Sequence, residues 1–186
     1  MRSLVVLLLP AVALAAPVPR AKDAGKLLVS TADGKVTLLN PDGTEPAAVF
    51  EADDGARVVQ AKLSPDGKRV VYAVLPDPKK LDAVLYVRDM AGGKEKELFK
   101  VQHLSRLFWA ADGKAVYASG LDVEKGNLPA ARRHECWASW RVDAATGQPT
   151  SLDAKGEYRA WGLSAGGDEL VCVRTFDLRP VGKGVQ

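Results

Sequence analysis

The 186-residue chain carries 26 Lys and Arg against 23 Asp and Glu, a net charge of +3, and 47% of its residues are hydrophobic. That suffices for one domain of ordinary size plus a short processed segment, and it excludes wholesale disorder. The small basic excess lacks the stripe expected of a nucleic-acid-binding protein. No apolar run reaches the roughly 18–20 residues that span a bilayer, and two cysteines are too few for a disulfide framework.

The chain opens on an address. Arg2 supplies a positive start, residues 4–16 are almost continuously apolar apart from Pro10, and Ala13-Leu14-Ala15 gives the small-x-small pattern that a signal peptidase cuts. Residues 1–15 are therefore expected to be a signal peptide, cut after Ala15, because a cut after Ala16 would place Pro17 directly behind the scissile bond. Residues 16–25 read as a linker. The expected compartment is the periplasm or the exterior. Loss of Arg2 leaves 25 basic residues against 23 acidic ones, close to neutrality. In an oxidising compartment Cys136 and Cys172 could pair, if their Cα atoms approach closely enough; two buried, unpaired thiols are the alternative.

From Lys26 onward the chain repeats itself. Residues 63–72 (LSPDGKRVVY), 109–118 (WAADGKAVYA) and 163–172 (LSAGGDELVC) align without gaps. Each has an apolar residue, a turn, a polar pair and a β-branched or aromatic run. Asp-Gly tolerates positive φ at both positions, so each segment predicts strand, tight turn, strand. The turn recurs after 46 residues and again after 54.

A second element alternates with the first. Residues 38–43 (LLNPDG), 86–93 (YVRDMAGG) and 140–147 (WRVDAATG) each end a strand in a turn, and short strands are expected at 47–50, 97–101 and 150–152. Four strands per period, with no sustained helical periodicity, predict an all-β chain built as β-propeller blades: four-stranded antiparallel sheets in a partial or truncated propeller of about three blades. One blade is expected over residues 57–102 and the next over 103–153. Residues 26–51 supply the second to fourth strands of an earlier blade, and 157–175 the first two of a later one. Strands such as 70–74 are apolar on both faces, which suits a sheet held between neighbours. The propeller region thus covers 26–175, followed by a tail at 176–186.

On these residues the chain resembles WD-repeat-like β-propellers. It is closest to the repeat family of the Tol-system periplasmic propeller (TolB-like), whose repeat signature carries Ser-Pro-Asp-Gly-Lys. Here the signature is intact at residues 64–68 and degenerate at 110–114 and 164–168. The resemblance implies a fold and leaves activity open, because propellers host many unrelated functions.

Candidate chemistry is sparse. Residues 162–166 (GLSAG) fit the G-x-S-x-G nucleophile elbow, but both histidines, His103 and His134, precede Ser164, and the segment aligns with a repeat turn. His134, Glu135 and Cys136 alternate across a strand and cannot converge on one metal, and Asp53 with Asp54 falls short of a calcium shell. No metal, cofactor or catalytic residue is expected. Trp109 occupies the position of Leu63 and Leu163, which predicts a core residue, and Trp137 and Trp140 lie on opposite faces of one strand.

The functional lead is topological. Long loops at 75–82 and 120–135 fall on one rim of the blades and carry Lys79, Lys80, Arg132, Arg133 and His134 as candidate ligand-binding residues. The expected function is an exported, non-catalytic binding or scaffold protein that offers this rim to a protein or an anionic ligand, with no nucleic acid and no stable membrane span. A homodimer that completes a propeller is one expected assembly. The alternatives are a propeller-type hydrolase or lactonase, and a truncated fragment with no independent activity.

Overall fold

The computed structural model describes residues 26–174 apart from 32–33, 54, 123–136, 154–157, 165–166 and 168. The expected signal peptide, linker and tail lie outside the described residues, as do Arg132, Arg133, His134 and Cys136. All regular structure within them is β. The strands are β1 (Leu27–Ser30), β2 (Lys35–Leu39), β3 (Ala47–Glu51), β4 (Arg57–Leu63), β5 (Arg69–Leu75), β6 (Asp82–Asp89), β7 (Glu95–Trp109), β8 (Ala115–Leu121), β9 (Trp137–Asp143), β10 (Pro149–Ser151), β11 (Tyr158–Leu163) and β12 (Leu170–Arg174). Every pairing is antiparallel, in the sheet orders β1-β2-β3, β10-β9-β8-β7-β6-β5-β4 and β11-β12.

The repeated sequence makes repeated turns. Ser64 and Ser164 open equivalent hairpins: the Ser64 N–H donates to the Arg69 carbonyl at 2.8 Å and the Ser164 N–H to that of Glu169 at 2.8 Å. Each hydroxyl then accepts the N–H of the same residue, at 2.9 and 3.1 Å. Gly67, Gly113 and Gly167 occupy one turn position with φ of 69°, 67° and 76°, where a side chain would be strained. In the second turn type, Gly93 and Gly147 donate to the carbonyls of Asp89 and Asp143 at 2.9 and 2.8 Å, and those carboxylates accept the N–H two residues on. The two turn types also meet, since Met90 N–H reaches the Lys68 carbonyl and Ala144 N–H that of Lys114, both at 2.9 Å.

The boundary expected between Gln102 and His103 falls inside a single strand. The outer strand of one four-stranded repeat runs directly into the inner strand of the next, so β7 joins both into a seven-stranded sheet. The change of blade is made by a bulge: Gln102 pairs with Leu121 and Arg106 with Ser119, leaving three residues of β7 opposite Gly120. His103 takes φ of 48° there, uncommon for a non-glycine residue.

The core lies between sheets. Val70, Tyr72 and Val74 face the first sheet, packing with Val36 and Val58, while Val71, Ala73 and Leu75 face the other way, towards Leu107, Trp109, Val116, Trp140 and Val142. β5 is thus buried on both faces, as its apolar run predicts. At the first seam Phe50 stacks on Tyr72 with ring centroids 4.5 Å apart, and the Tyr72 hydroxyl donates to the Glu95 carboxylate. At the second, Trp109 is 6% exposed, as its repeat position predicts, and its indole N–H donates to the Lys62 carbonyl at 2.9 Å.

The third seam, between β7–β9 and β11, is polar. Ser119 and Ser139 are fully buried there, and Arg106 and Arg159 lie over the rings of Trp161 and Trp137, each 3.8 Å from the centroid.

Candidate rim site

Of the five rim residues expected from sequence, two are described. The connection between β5 and β6 is wound tightly: Lys79 N–H donates to the Asp77 carboxylate at 3.0 Å, and Lys80 N–H to the Asp77 carbonyl at 2.9 Å. This Asx turn turns Lys79 and Lys80 outward on a fixed backbone. The Lys80 ammonium lies 3.9 Å from the Asp77 carboxylate, an exposed pair worth little in water.

The next residue anchors the loop to the blade junction, because the Leu81 carbonyl accepts the His103 N–H at 2.8 Å. Lys79, Lys80, Asp82, Gln102, His103 and Trp137 then face one open cleft of about 510 Å³. His103 and Trp137 form its aromatic wall, with ring centroids 6.5 Å apart. Behind the indole sits the Arg159 guanidinium, whose Nε is buried with no hydrogen-bond partner among the described residues. Burial lowers the Arg159 pKa below its usual value, and the guanidinium is still cationic at neutral pH. The cleft therefore offers exposed ammonium groups, an imidazole and an indole on a tied loop, a set suited to a carboxylate or phosphate on a partly apolar body.

The remaining candidates resolve into structure. Ser164 opens a hairpin between β11 and β12, with no helix following it among the described residues, so the strand-turn-helix context of a nucleophile elbow is missing there. Ala56 N–H closes on the Asp53 carbonyl at 2.9 Å, a plain turn. Among the described residues no three His, Cys, Asp or Glu side chains converge. Trp140 is buried against Phe99, with centroids 5.1 Å apart, on the face opposite to Trp137. Cys172 is exposed on β12, and burial of part of the thiol, followed by the nearby Asp153 charge, raises its pKa. Sequence reasoning passed over Arg106, Ser119, Ser139 and Arg159, because single polar residues in a strand carry no signal until the neighbouring blade is placed.

No protein-family model matches the sequence, and no curated protein matches it closely. Solved structures do. A prolyl endopeptidase superposes with a TM-score of 0.58 at 16% identity, over 80% of this chain and 26% of that one. The propeller domain of the trilobed protease from Pyrococcus furiosus gives 0.55 at 14% identity, over 79% and 43%. TolB from Acinetobacter baumannii gives 0.50 at 16% identity, over 69% and 30%. The chain spans less than half the length of each of these proteins. At these identities the likeness shows the fold, and the fold is that of β-propeller blades.

Proposed function

We propose that this is an exported, non-catalytic binding or scaffold protein that holds its rim cleft out to an anionic group of a protein partner. The observation that supports the reading is the cleft itself, where Lys79 and Lys80 stand beside His103 and Trp137 on a loop tied to the blade junction. Propeller folds serve binding proteins and enzymes alike, so the reading rests on the cleft and on the signal-like residues 1–15 rather than on the fold. Recognition would be rigid: the loop's geometry is set before binding, and the ammonium groups steer the partner in and pair with it at the rim.

The test is the affinity of the full chain for a partner identified from its native host, measured with Lys79, Lys80, Arg132 and Arg133 replaced by Ala. The variant is expected to associate at least tenfold more slowly, with a weaker dependence on salt. Unchanged binding would remove the rim from the interface.

A further inference from the structure

The inner strands of the repeats lie on the hub side of the blades and run close to one another, β4 beside β7 and β7 beside β11. β4, residues 104–109 of β7, and β11 carry Arg57, Lys62, Arg106 and Arg159 and not one Asp or Glu, although acidic and basic residues are nearly balanced overall. None of the four forms an ion pair with another described residue. Two of them, Lys62 and Arg106, line a single cleft of about 370 Å³ with Gln60, Phe108 and Trp161, and among the described residues no carboxylate lines it.

Arg106 is held against an aromatic ring, as Arg159 is against Trp137. The Arg106 guanidinium lies 3.8 Å from the centroid of the Trp161 ring, while the indole stays 52% exposed. Contact with the ring restricts the guanidinium, and an Arg fork can make two parallel bonds to a carboxylate. Lys62 adds a second positive charge, and the rings of Trp161 and Phe108 add an apolar floor. In an otherwise nearly neutral chain, such an unpaired pair of cations above exposed aromatic surface fits a ligand that brings the missing negative charge together with a flat body.

We propose that the hub cleft is a second binding site, distinct from the rim, for a small ring compound bearing a carboxylate. The carboxylate pairs with the fork of Arg106 and with Lys62, and the ring lies against Trp161 and Phe108. An aromatic acid and an acidic sugar share this chemistry, and a cleft of about 370 Å³ holds either.

The experiment follows the indole N–H resonance of Trp161 in the ¹⁵N-labelled full chain, assigned with Trp161→Phe, during titration with benzoate, glucuronate, benzyl alcohol and glucose. At least one of the two acids is expected to shift the resonance saturably, and the neutral compounds are expected to leave it in place. Benzoate acting without glucuronate assigns the site to aromatic acids, and the reverse to acidic sugars. Arg106→Lys keeps the charge but loses the fork and should weaken the active acid by at least threefold; Arg106→Met should weaken it by at least tenfold. Lys79→Ala with Lys80→Ala should leave the titration unchanged, which separates the hub from the rim. Equal shifts from acid and neutral compounds, no shift from either acid, or full affinity in Arg106→Met would each overturn the proposal.

Discussion

Ser119 Oγ and Ser139 Oγ lie 2.7 Å apart in full burial, and together they satisfy both backbone groups of Ala160 on the neighbouring blade. The Ala160 N–H donates to Ser139 at 2.8 Å, and the Ser119 hydroxyl donates to the Ala160 carbonyl at 2.9 Å. Two side chains thus do for β11 what a pairing strand would do. The other two seams are built mainly from apolar side chains, so hydrogen bonds carry a larger share of the packing here.

Removing either hydroxyl leaves a buried backbone group of Ala160 without its partner. Ser119→Ala and Ser139→Ala are each expected to cost about 1–3 kcal/mol, and the double variant less than the sum, because the two serines share one network. Urea unfolding measures the cost, and amide exchange locates it. Protection should fall first across β11 and β12 and last in β5. Uniform loss of protection would show that the third seam is no weaker than the others.

Gly120 sits under the three-residue bulge of β7. A Cβ there would lie 2.4 Å from Val101 Cγ2 and 2.6 Å from the Gln102 carbonyl oxygen, whereas one at Gly92 would meet nothing within 4 Å. Gly120→Ala is expected to lower the unfolding free energy by about 1–3 kcal/mol, and Gly92→Ala by a few tenths at most. Equal midpoints for the two variants in urea would contradict the close approach of the bulge.

The turn aspartates give the chain an acid limit. Asp66 accepts hydrogen bonds from the Ser64 hydroxyl and the Lys68 N–H, and Asp143 from the Thr146 and Ala145 N–H groups and the Thr146 hydroxyl, so both pKa values lie below the ordinary range. A depressed folded-state pKa means that the unfolded chain takes up protons first as pH falls. The contribution is complete above the unfolded value of about 3.9 and is lost as pH drops through the lower folded values. Urea midpoints between about pH 5 and about pH 2.5 should therefore fall less steeply in Asp66→Asn and Asp143→Asn than in the parent. Parallel slopes would show that these turns open before the titration matters.

Much of this architecture is visible in the sequence because it is local. Ser64-Pro65-Asp66-Gly67-Lys68 states its own turn, and the two-sided apolar run of residues 70–74 states that a sheet lies on either side. Trp109 could be placed in the core because Leu63 and Leu163 occupy the same repeat position. What could not be read is what depends on a neighbouring blade. Arg106 and Trp161 stand 55 positions apart in sequence and meet only when two inner strands converge at the hub. Ser119 and Ser139 look like tolerated polar residues until the backbone of Ala160 is set against them. Likewise, the sequence puts a boundary between blades at residues 102 and 103, because nothing in the residues shows that the hydrogen-bonded ladder continues on both sides of it.

That continuity has a mechanical consequence. A chain pulled from its two ends would peel β1–β3 and β11–β12 away one strand at a time, since each is a small separate sheet. Load then reaches the seven-stranded sheet, where β7 lies in the middle of the order and pairs with β6 along one half and β8 along the other. No single hairpin of that sheet can leave without breaking a ladder shared with the next, so the two central repeats should give way as one large step after the smaller ones.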